Sequence, residues 1–205
     1  ALAIAIELDH AELQALSLHL LALTDIENGH TAQARQRIET ALSLWRALEL
    51  PSDEAMALLI LSSLPPAPST PDRQIADAQE ALALFESIGH TSGVAFVLLR
   101  LGRLAQLAGD ERRALDFLAR SVTAWLSIDE RWAIARPILL LAELAMQHDR
   151  PREAALLLGV IDHRLRASDA THLLEFRAIQ DTVRAALVEA LGAATFEKTL
   201  QAGTQ

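Results

Sequence analysis

Seven histidines and 27 acidic side chains are the groups in this 205-residue sequence best suited to chemistry. A metal site on a helix wants two imidazoles four residues apart, and the histidines at 10, 19, 30, 90, 148, 163 and 172 include no such pair. Paired acid and base work wants two carboxylates held across a cleft with their pKa values pushed apart, and the spacing of the acids gives no sign of that. The eight glycines fall at turns and inside helical stretches, with no cradle ahead of Lys and Ser or Thr, so no nucleotide site is expected. No cysteine is present, hence no thiolate ligand and no disulfide. The reading is of a noncatalytic chain without metal or cofactor, in which binding is the better candidate.

What could position binding groups is a repeat. Ala41, Ala81 and Ser121 recur at 40-residue intervals, as do Trp45, Phe85 and Trp125, and Leu48, Ile88 and Ile128. A fixed period of this size marks units that bury their apolar faces by stacking on neighbours. Alanine and leucine dominate, tyrosine is absent and aromatics make up 4%, which suits close helix packing and not strands. The expectation is an all-α, right-handed superhelix of helical hairpins treated as one domain. Hairpins are expected at 9–50, 51–90, 91–128 and 129–168, with a C-terminal cap over 169–205. Residues 1–8 align with 41–48 at the same offset, so they read as the remnant of a preceding repeat in a larger protein.

In order, helices are expected over 9–27, stopping at Asn28-Gly29, and over 31–48. Ser52 is expected to cap the next, with Asp53 and Glu54 near its positive end. Pro65, Pro66, Pro68 and Pro71 end it at Leu64, and Thr70-Pro71 restarts helix after a loop that is either a functional variant or a tolerated surface change. The third hairpin is expected to start at a Thr91 or Ser92 cap, turn at Gly109-Asp110 and end at Ile128. The fourth is expected over 130–147, kinked at Pro137, and 151–166. Helices over 170–191 and 194–201 close the chain.

Gly29, Ala34 and Ala41, then Gly109, Ala114 and Ser121, place small residues where paired helices cross. This pattern resembles the tetratricopeptide repeat, in the longer form found in the C-terminal regions of large bacterial LuxR-type regulators. Those carry a central ATPase module, the maltose regulator being the familiar kind, and related chains carry cyclase or kinase heads. The closing stretch, REAALLLGVIDHRLRA (152–167) followed by LGAATFEKTLQAG (191–203), is similar to the ending of that group. The departures are the proline loop, Asp149 in place of the turn glycine, and Gln74 where Ala34, Ala114 and Ala154 stand. The resemblance implies a sensor or interaction domain and an upstream ATPase or effector domain in the same chain. The alternatives are a passive scaffold or self-association module, or the regulatory tail of a cyclase or kinase.

In such repeats the first helix of each hairpin lines the concave face. Carried along the register, the groove-lining candidates are His19, Met56, Phe96, Leu99, Arg103, Gln106, Arg136 and Glu143, with Leu16, Leu23, Leu59, Ser63, Leu139 and Met146 beside them. A groove with Phe96 and Met56 for apolar contact and Arg103, Arg136 and Glu143 for polar contact could hold a protein, a peptide or a small-molecule inducer. Trp45, Phe85 and Trp125 read as core. The net charge is −9. All of the excess acid lies in residues 1–90, which argues against direct nucleic-acid contact by this segment. Apolar runs such as 55–64 are too short for a membrane span, and the lack of cysteine fits a reducing cytoplasm.

Overall fold

In the computed structural model the described residues are 2–65, 73–130, 132–166 and 174–204, with side chains described except at 164–166 and 174–179. They form eleven α-helices and, among them, no strand. In chain order these are α1 (Leu2–Glu7), α2 (Ala11–Glu27), α3 (Thr31–Ala47), α4 (Pro51–Ser63), α5 (Arg73–Ser87), α6 (Thr91–Leu107), α7 (Glu111–Ser127), α8 (Ala135–Gln147), α9 (Pro151–Arg166), α10 (Leu174–Leu191) and α11 (Ala193–Ala202). Neighbours in sequence pack as pairs, α2 on α3, α4 on α5 and α8 on α9. The chain divides into two compact units, Ala1–Leu101 and Gly102–Gln205, with the boundary inside α6.

The helices stop by one device used at 20-residue intervals. Asp9, Gly29, Glu49, Gly89, Gly109, Asp129 and Asp149 all take a positive φ, between 49° and 76°. At each, the next residue's N–H reaches back five positions, as from His30 to the Asp25 carbonyl (2.7 Å), Leu50 to Trp45 (3.1 Å) and Asp110 to Ala105 (2.9 Å). The left-handed residue's own N–H reaches back three, which together is the Schellman arrangement. Asp149 thus keeps the turn without glycine. The sequence identifies the glycine turns readily, and the acidic ones only through the register.

Helix starts depart from expectation in three places. Pro51, not Ser52, opens α4: it is the first helical residue, where its missing N–H costs nothing and its fixed φ suits the helix, and Leu50 makes no side-chain cap. The cap of α6 is His90 and not Thr91 or Ser92, its Nδ1 accepting the Gly93 N–H at 3.0 Å. His10 does the same for Leu13 at 3.4 Å, so the imidazoles eighty residues apart share a role. Pro137 does not kink a long helix either. Helix α8 begins at Ala135, which puts Pro137 in its first turn, where no intrahelical N–H is needed, and residues 132–134 form turns ahead of it.

Pro65, just past the last turn of α4, cannot donate an N–H, and the carbonyls at that helix end lack intrahelical donors. Three side chains supply them. Arg100 donates through both Nε and Nη2 to the Ser62 carbonyl, Gln74 donates to that of Leu64 (2.6 Å), and Arg35 to that of Pro65 (2.5 Å). This accounts for Gln74 standing where alanine stands in other hairpins. The predicted restart at Thr70-Pro71 lies outside the described residues.

The remaining small positions are core as expected: Ala34, Ala41, Ala114, Ser121 and Ala154 are fully buried, and Trp45, Phe85 and Trp125 are at most 3% exposed. In the second unit α9 is covered by α10 and α11. Asp162 of α9 accepts from Gln180 and Arg184 of α10, both at 2.7 Å, and the Arg184 guanidinium lies 5.7 Å from the buried Phe196 ring of α11. Gly159 and Gly203 bring backbones together, since a Cβ on Gly159 would meet the Leu200 carbonyl oxygen and one on Gly203 that of Leu156.

Candidate functional site

The predicted groove residues fall in both units. His19, Met56, Phe96 and Leu99 belong to the first, Arg103, Gln106, Arg136 and Glu143 to the second.

In the first unit all four are half-buried, on α2, α4 and α6. His19 is held below its ordinary pKa of 6.5 by burial, an effect partly opposed by the Asp53 carboxylate on α4. The imidazole is therefore neutral at pH 7 and works as a packing group with a polar edge. Leu16 and Leu23 on the same helix are 45% and 38% exposed.

In the second unit the structure brings three of the predicted residues together and adds a fourth. Arg103 near the end of α6 donates to Glu143 of α8 at 2.7 Å and to the Gln106 Oε1 at 3.0 Å. Gln106 in turn donates from Nε2 to Gln147 Oε1 at 3.2 Å. Arg103 and Glu143 are forty residues apart, so the repeat register itself sets opposite charges on facing helices. Gln106 is buried at 7% and acts from within, not as a lining residue, and Leu139 at 4% is core. Neither side chain is therefore available as a groove lining. Arg136 is exposed on the first turn of α8. Gln147 was missed by sequence reasoning, because the forty-residue step from Gln106 lands on Met146 and the bonded partner lies one residue further on.

The cluster offers a carboxylate, a guanidinium and an amide chain in one row, with Arg103 and Glu143 side chains 38% and 26% exposed. A pair this open adds under about 1 kcal/mol to stability. Its value lies in orientation, because each charge holds the other in one rotamer while leaving an accessible edge. A cavity of about 380 Å³ at the start of α7 is lined by Asp110, Arg112, Arg113 and Asp116 and by none of the predicted residues. Two acids and two bases there largely cancel, and Asp110 already caps α7 through Arg113 N–H at 3.0 Å.

Among the described residues no group of three or more His, Asp or Glu side chains could hold a metal ion, and no helix is long and apolar enough to cross a membrane. No protein-family model matches the chain, and no curated protein matches it.

Proposed function

We propose that the chain is a noncatalytic ligand- or protein-binding domain of a larger bacterial signalling or transcription-regulating protein, a helical-repeat solenoid of the tetratricopeptide kind. The observation that carries this reading is the Arg103–Glu143 pair with its Gln106–Gln147 extension. It sets oriented polar groups on the first helices of successive hairpins, where such repeats present their binding face, and contributes little to stability. A peptide or small inducer with a carboxylate and a donor could exchange with the pair edge by edge. To signal, it must bind one packing of the hairpins more tightly than another, a tenfold preference being about 1.4 kcal/mol.

The test is a thermal-shift screen of anionic metabolites and short amphipathic peptides, run on the chain and on the Arg103→Ala/Glu143→Ala double variant. Removing both charges avoids leaving one unpaired. The expected result is a ligand whose stabilisation disappears in the variant while the unliganded Tm moves by no more than about 2 °C. Undiminished stabilisation of the variant would place binding elsewhere. A second reading, a self-association scaffold, draws support from the exposed Ile4 and Ile6 of α1 and the exposed leucines of α2, and predicts a mass that rises with concentration without ligand.

A further inference from the structure

Exposed apolar side chains are concentrated on the first two helices. Ile4, Ile6 and Leu8 are 58–67% exposed, and on α2 Leu13, Leu16, Leu20, Leu21, Leu23 and Ile26 are 37–56% exposed. Helix α2 is apolar all round, a composition that belongs to a helix buried on more than one side. Helix α4, one repeat later, has the same composition and leaves none of its large hydrophobics exposed.

The register shows what α2 lacks. Leu21 is 37% exposed, whereas its equivalents Leu61 and Leu101 are 0% and 3%. Thr24 is exposed, whereas Leu64, Leu104 and Leu144 at the same position are buried. In the first unit α4 is covered by α3, a helix of 17 residues. The matching cover on α2 is α1, of 6 residues, which aligns with the last turns of α3. Where α1 reaches, the interface is already made: Ala5 is buried at 2%, Ala15 at 0%, and Gln14 donates to the Ala5 carbonyl at 3.2 Å. Beyond it, the side of α2 that carries Leu20, Leu21, Leu23 and Thr24 is exposed, while Ala22 and Asp25 are buried.

We infer that this face is a stacking surface for a further helical hairpin of the same 40-residue repeat, in the same polypeptide, whose second helix runs into α1. The occupant continues an interface that α1 begins. A second copy joined head to tail fits less well, because its own repeat face on α9 is covered by α10 and α11.

The experiment grafts a copy of residues 9–40 directly ahead of Ala1, which preserves the forty-residue register. Grafting residues 31–40 alone lengthens α1 without adding a hairpin, and serves if the longer graft does not fold. Each is compared with the 205-residue chain, with and without Leu21→Ser at the original position. The expected result is a Tm at least 4 °C higher in the longer graft, part of that gain in the shorter, and a Leu21→Ser cost below 1 °C in the parent that grows at least threefold in the grafts. Unchanged Tm values with an unchanged Leu21→Ser cost in both grafts would overturn the inference. So would a parent chain that is already a stable dimer and is dissociated by Leu21→Glu, since the face would then belong to a second copy.

Discussion

Helix α2 and helix α9 meet the same need in opposite ways. Helix α2 belongs to the first hairpin of the sequence and α9 to the fourth, each in its own compact unit. On α9 the face is closed by α10 and α11, with Asp162 holding Gln180 and Arg184, and with Gly159 and Gly203 letting backbones touch. On α2 it is left as leucine, covered only where α1 lies. The difference teaches what covering such a face takes: α10 and α11 bring their own side chains and a glycine crossing, whereas the exposed side of α2 carries the ordinary repeat residues. The polar cluster of Arg103, Gln106, Glu143 and Gln147 belongs to neither face, which suits a role in binding.

The cap should be the more sensitive of the two. Gly159→Val would put a Cβ 2.2 Å from the Leu200 carbonyl oxygen and 2.9 Å from the Gly203 Cα. Both are backbone and cannot swing away, so the cost is expected at about 3 kcal/mol, read by urea unfolding, with loss of protection in α11. A cost below about 1 kcal/mol would mean that the cap is not held by this crossing. The leucines test the other side of the comparison. Leu61→Ala in α4 is expected to cost about 3 kcal/mol and the equivalent Leu21→Ala in α2 less than about 1 kcal/mol. Equal costs would erase the distinction between covered and bare faces.

Smaller effects sharpen it. Burial lowers the folded-state pKa of His19 below 6.5, so at acidic pH the unfolded chain takes up the proton more readily than the folded one. Stability tied to His19 is therefore full above pH 6.5 and falls as pH drops below it. His19→Gln should flatten that part of the Tm–pH curve, whereas an unchanged curve would mean that the imidazole is solvated. Smallest is Glu49→Gly, which relieves a φ of 55° and is expected to raise stability by about 1 kcal/mol. No gain would indicate that Glu49 does more than turn the chain.

Much of this was legible in the sequence because the register repeats. The helical pairs, the buried Trp45, Phe85 and Trp125, and the Arg103–Glu143 relation all follow from residues forty apart. What was not legible depends on contacts between units of that register. Gln106 reads as a lining residue by position, but its side chain is buried, held between Arg103 and Gln147. Pro137 reads as a kink until the helix is seen to start only at Ala135. The side chains that hold the free carbonyls of α4 come from α3, α5 and α6, and no local pattern announces them.

The most direct test is hydrogen exchange followed amide by amide in the 205-residue chain, comparing residues 20–23 of α2 with 60–63 of α4 in one dilute sample. Local opening is governed by the apolar cover a helix has. Exchange about 100-fold faster in α2 than in α4 is the predicted result. Equal protection of the two segments would contradict it, for it would mean that the α2 leucines are already covered.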